Sequence, residues 1–152
     1  MKLTTAQIGR SGELLVQFKL LMGGIESAPM TTDAGVDLVA FDAQRGRATT
    51  IQVKSNLQAK PGGGKGKPHL DWWVSSDCPA DWVAFVDLER LRVWLVKMAD
   101  VPGLAQQHPD GRYHFFMSID PTQEVRRDGR PVHEWEFERY VLENRLHELL
   151  RG

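Results

Sequence analysis

Gly35-Val-Asp-Leu-Val-Ala-Phe-Asp42 and, across the polar turn Gln44-Arg45-Gly46, Ala48-Thr-Thr-Ile-Gln-Val-Lys54 are the segments on which the fold turns. Both are rich in β-branched and aromatic residues, and the short turn between them predicts an antiparallel pair of strands. Side chains alternate along a strand, so Gln52 and Lys54 share one face, about 7 Å apart, while Ile51 and Val53 take the other. Asp37 lies on the neighbouring strand and can meet Gln52 and Lys54 at one corner of a sheet.

Upstream, Thr5 to Met22 has helical periodicity. Ile8, Leu15, Phe18 and Met22, broadened by Leu14 and Leu21, form the expected packing face. Thr4 or Thr5 is placed to cap the start, and Gly23-Gly24 stops the helix. Glu13, Val16 and Leu20 form a second row, so Glu13 is aligned with apolar residues. Packing this helix on the sheet can bring Glu13 to the same corner as Asp37.

A corner of this kind suits phosphodiester hydrolysis. Mg2+ prefers hard oxygen ligands and keeps several waters, so two carboxylates and an amide oxygen make a weak protein site for it. A bound metal lowers the pKa of water and neutralises charge that builds on phosphate. A lysine beside it can orient the attacking water and hold the phosphate by charge.

At these residues the chain resembles the PD-(D/E)XK nuclease superfamily. The family pattern is a helix glutamate, a strand aspartate, then (Asp/Glu/Gln)-x-Lys on the next strand. Gly9-Arg-Ser-Gly-Glu13, Gly35-Val-Asp37 and Ile51-Gln-Val-Lys-Ser55 meet it in order. The spacing is similar to that of small members: archaeal Holliday-junction resolvases, Mrr-type restriction domains and a small homing endonuclease of group I introns. The resemblance covers residues 5 to 55. It implies an α/β, restriction-endonuclease-like αβββαβ core with a mixed central sheet flanked by helices. It implies a metal held by Glu13, Asp37 and Gln52, with Lys54 serving the nucleophile. Mg2+ is the expected ion, Mn2+ a substitute, and DNA the expected substrate, with RNA the weaker alternative. A homodimer or homotetramer is expected, because small nucleases often need two copies to cut both strands. Val36 stands where the family has proline, a position that only shapes backbone. Gln52 stands where many members have an acid, which removes one negative charge from the metal site. A module of the same fold that binds nucleic acid or protein without catalysis is the competing reading.

The rest of the chain bounds these expectations. At 152 residues, with 41% hydrophobic and 26% charged residues, it has the size and composition of one soluble globular domain spanning 1–152. The lone Cys78 cannot form an internal disulfide, which fits a reducing cytoplasm. Met1 to Leu15 reads as neither a signal peptide nor a membrane anchor. A net charge of −1 argues against coating nucleic acid over the whole surface, but charge is segregated. Ala43 to Leu70 holds Arg45, Arg47, Lys54, Lys60, Lys65 and Lys67 and no acid. Within it, the Gly/Lys-rich loop 58–68 is no Walker A loop, since Pro61 and Pro68 break that pattern. Lys60, Lys65 and Lys67 are instead candidates for gripping phosphates, with Ser55 a further one.

Trp82 to Leu88 and Leu91 to Lys97 read as a hairpin of buried strands around Glu89-Arg90. Leu70 to Asp81 is ambiguous. Asp100 to Gln107 reads as a short helix, Arg112 to Ile119 as a strand and Asp120 to Pro131 as polar loop. A final helix, Trp135 to Leu150, has Phe137, Tyr140, Val141, Leu146, Leu149 and Leu150 for packing, with apolar area to spare for an interface. Trp82 and Trp94 belong to the core, whereas Trp72 and Trp73, near the basic loop, are candidates for base stacking. The five histidines show no zinc spacing with Cys78, and that cysteine reads as inert.

Overall fold

The computed structural model describes residues 1–32, 34–61, 66–124, 128–149 and 151. Helix α1 spans Thr5–Met22 and opens with a capping box, in which Thr4 and Gln7 bond each other's backbone amides. Strands β1 (Glu26–Pro29), β2 (Leu38–Asp42) and β3 (Arg47–Asn56) follow. Next come β4 (Lys60–Pro61), β5 (Pro68–Ser75), β6 (Trp82–Asp87) and β7 (Arg92–Lys97). A 3-10 turn leads into the one-turn helix α2 (Val101–Leu104), then β8 (Arg112–Ser118). The chain continues with a 3-10 helix (Glu134–Tyr140) and α3 (Leu142–Leu149).

Five strands form a mixed sheet in the order β1-β2-β3-β6-β7, parallel only between β3 and β6. A second, antiparallel sheet has the order β4-β5-β8. The mixed central sheet flanked by helices is the architecture expected. The connection from β3 to its parallel neighbour β6 is built from β4 and β5, where the αβββαβ pattern has a helix. The reason is local: Leu70, Trp72 and Val74 recur every second residue, a period that buries one face of a strand.

Two cores lie on opposite faces of the five-stranded sheet. One joins Val16 and Leu20 of α1 and Leu142 and Leu149 of α3 to Leu38, Ile51, Ala84 and Leu95. The other joins Val83, Phe85, Trp94 and Val96 to the inner face of the second sheet through Leu70, Trp72, Val74, Phe115 and Met117. Every residue of β6 is buried, as a strand covered on both faces requires.

Three expectations are corrected. The packing row of α1 is Gly12, Val16 and Leu20, while Leu14, Phe18 and Leu21 are 51%, 60% and 62% exposed. These three line an apolar groove with Ala28, Val39 and Phe41. The final helix is broken at Val141 into a 3-10 and an α segment, and Phe137, Tyr140, Val141, Leu146 and Leu149 are committed to the two cores, while Trp135 is exposed. Free apolar surface therefore lies mainly on α1, with Trp135 the exposed exception on the last helix; Leu150 is outside the described residues. Trp72 is buried against Phe85 and Trp94, out of reach of a nucleic-acid base. No helix among the described residues is long and apolar enough to cross a membrane.

Candidate active site at the open edge of β3

Strand β2 leaves its partner at Leu38, which pairs with Ile51. Asp37 makes the departure. Its amide donates to the Ile51 carbonyl at 2.9 Å, and its Oδ2 accepts the Val53 amide proton at 2.7 Å. The aspartate thus clips the β3 backbone on both sides of Gln52, satisfying an amide that β2 no longer reaches. Gly35 prepares the turn: its φ is +84°, and an added Cβ would meet Pro79 Cδ at 2.7 Å. Only glycine suits both the left-handed backbone and the close approach.

Along β3, Gln52, Lys54 and Asn56 face the second sheet. Gln52 is 8% exposed, and its Oε1 accepts a hydrogen bond from the Cys78 thiol at 3.1 Å. Lys54 is half-buried and has no carboxylate partner among the described residues. Asn56 Nδ2 donates to the Asp71 carbonyl at 2.7 Å, tying β3 to β5. Cys78, read from sequence as inert, therefore touches a candidate ligand. Its contact spans 26 residues, and nothing in its local sequence announces it.

The opposite face of β3 carries α1. Gly12 lies directly on Ser55 and Val53, with no room for a Cβ. Glu13, the next residue, is held by Arg10 Nη1 at 2.8 Å. Helix and β2 thus both reach β3 around Val53, the helix through Gly12 and β2 through Asp37, while Gln52 and Lys54 point to the face away from the helix that carries Glu13. Ser55 Oγ is buried against the helix with no hydrogen-bond partner. That placement gives Ser55 a packing role and takes it away from a phosphate.

The oxygen donors expected for a metal, Glu13, Asp37 and Gln52, are two carboxylates and one amide, all of the hard type that suits Mg2+. Among the described residues no three His, Cys, Asp or Glu side chains are grouped to hold a metal ion. A site here relies on the amide and carries less charge than an all-acid one.

The candidate phosphate contacts fare unequally. Lys60 is exposed on β4. Lys67 is paired with Asp120 at 3.0 Å; Thr122 and Lys67, both hydrogen-bonded to that carboxyl, hold its pKa at about 2. Lys65 lies outside the described residues. Trp73 is stacked on His114 at 4.1 Å and lies under the Arg112 guanidinium at 4.5 Å, so its stacking capacity is used within the protein. Sequence reading missed Arg112, whose only signal, an exposed arginine on a strand, is too common to single it out.

No protein-family profile and no curated sequence matches the chain. Among solved structures, the chain is similar to the bacterial homing endonuclease I-Ssp6803I, with a TM-score of 0.61 at 15% identity. The similarity covers 97% of this chain and 92% of the other. At that identity it shows that the two share a fold.

Proposed function

We propose that the chain is a single-domain, metal-dependent endonuclease that hydrolyses phosphodiester bonds in DNA. One observation carries the reading. Asp37 bonds the β3 backbone on both sides of Gln52 where β2 leaves, Lys54 follows on the face of Gln52, and α1, which carries Glu13, packs through Gly12 on the other face of the same strand. The shared fold with a bacterial homing endonuclease supports it, as does the order of these residues in the PD-(D/E)XK pattern.

Glu13, Asp37 and Gln52 would hold Mg2+ or Mn2+, which supplies activation of water and neutralisation of charge on the phosphate. Lys54 Nζ, free of any carboxylate among the described residues, hydrogen-bonds the attacking water and a phosphate oxygen. The clip between Asp37 and the β3 backbone keeps that carboxylate in place before substrate arrives. The water oxygen would bond phosphorus as the ester P–O bond breaks; the water proton passes to solvent and the leaving oxygen takes a proton from solvent. The exposed apolar groove on α1 supports assembly as a homodimer or homotetramer.

The competing reading, a binding module without catalysis, is favoured by Gln52 alone. Its oxygen is neutral and already receives a proton from Cys78. Incubating wild type and Lys54→Ala with supercoiled plasmid, branched DNA, single-stranded DNA and structured RNA in EDTA, Mg2+ or Mn2+ separates the two. The nuclease reading expects metal-dependent DNA cleavage that is lost in the variant. Folded wild-type protein that cuts nothing under either metal establishes the binding module.

A further inference from the structure

The solvent face of the second sheet is organised around one arginine. Alternation along β5 puts His69, Asp71 and Trp73 on this face, and register adds Lys60 opposite His69 and His114 opposite Trp73. Asp71 Oδ2 bonds His114 Nε2 at 2.9 Å. The imidazole stacks on Trp73 with planes 15° apart, and Trp73 supports the guanidinium of Arg112. Each group restrains the next, so the Arg112 guanidinium is held over an aromatic ring. Neither Arg112 nor Lys60 has a carboxylate partner among the described residues. Arg112 pairs in register with Ser75, six residues along β5 from His69, so the two cations stand about 20 Å apart along the strands.

Resting on the nuclease reading, we infer that this face binds duplex DNA, with Arg112 and Lys60 each contacting a backbone phosphate. The charge is complementary and unspent, unlike that of Lys67, which is neutralised by Asp120. Set about 20 Å apart, the two cations can reach phosphates outside the rims of a major groove about 12 Å wide, a groove that admits a two-stranded ribbon such as β5–β8. Single strands are disfavoured because they are gripped by open aromatic faces, and Trp73 is stacked from within. The bond from Asn56 to the Asp71 carbonyl ties β5 of this sheet to the strand that carries Lys54.

The test is equilibrium binding of labelled duplex and single-stranded DNA in EDTA over a series of salt concentrations, for wild type, Arg112→Ala, Lys60→Ala and the double variant. Plasmid cleavage is assayed on the same preparations. Each single change should weaken duplex binding and make the slope of log K against log salt shallower by about 0.9, with roughly twice that in the double variant. Arg112→Ala binding duplex with the affinity and slope of a wild type that binds and cuts DNA overturns this surface and leaves the nuclease reading intact. A loss of equal size on single strands also overturns it. Wild type that neither binds nor cuts DNA removes both.

Discussion

Asp37 Oδ2 accepts the Val53 amide proton at 2.7 Å, one residue past Gln52, so a candidate metal ligand also closes the edge of the strand it serves. Structural and chemical duties of that carboxylate can be separated. Asn keeps an oxygen for Val53 and loses the charge; Ala loses both. Asp37→Asn should melt close to wild type, whereas Asp37→Ala should lose about 1–3 kcal/mol for a partly buried amide left unpaired. Cleavage should vanish in both. Urea unfolding beside plasmid cleavage checks this, and an active Asp37→Asn would remove the carboxylate from the metal site.

Gln52→Glu should trade stability for metal affinity. A carboxylate in this buried position is costly without a counter-ion, and more ligand charge strengthens binding of a hard cation. The variant should melt below wild type in EDTA, gain more melting temperature on adding Mn2+, and reach half-maximal cleavage at lower metal concentration. Equal metal-induced shifts in the two proteins would mean that residue 52 is no ligand.

Gly12 should tolerate no side chain while Ser55 lies beneath it. Gly12→Ala drives a methyl group into Ser55 and should cost about 1–3 kcal/mol, as overpacking does. Ser55→Gly in the same chain should restore part of that loss. Ser55→Ala alone should leave stability unchanged or raise it by up to about 1 kcal/mol, because its buried hydroxyl is desolvated and bonds nothing. A double-mutant cycle by chemical denaturation measures the coupling.

Asp81 carries a testable pH dependence. Its pKa is lowered chiefly by the Thr50 backbone amide; partial burial opposes the shift, and the Thr50 and Thr49 hydroxyls reinforce it. A folded pKa below the unfolded one stabilises above the unfolded value, and that stability is lost as pH falls through the folded value. Asp81→Asn should therefore cost about 1 kcal/mol at pH 7, modest because the side chain is solvent-accessible, and progressively less below pH 4. A deficit that is constant from pH 7 to pH 3 would show that the charge contributes nothing.

Much of this architecture is legible along the chain because its causes are local. Thr4 and Gln7 cap α1 three residues apart, Gly23 ends it, and the apolar runs of β6 and β7 flank a turn. Asp37 reaches the backbone beside Gln52, and Gln52 and Lys54 share a face, because a tight turn joins β2 to β3 and a strand repeats every second residue. The packing face of α1 was not legible. Its apolar residues surround most of the cylinder, so periodicity shows that the helix packs without showing which row meets the sheet. Val16 and Leu20 were chosen over Phe18 and Leu21 by the fit of Gly12 onto Ser55 and Val53, a contact between residues some forty positions apart. The thiol of Cys78 on Gln52, the Asn56 bond to Asp71 and the Arg112–Trp73–His114 stack arise in the same way. Each joins residues distant in sequence that meet only when the second sheet folds onto the first. Sequence by itself determined the elements and the residue types available for chemistry. Tertiary packing decided which were buried, which were paired and which were left free to act, because those outcomes depend on surfaces that no single segment possesses.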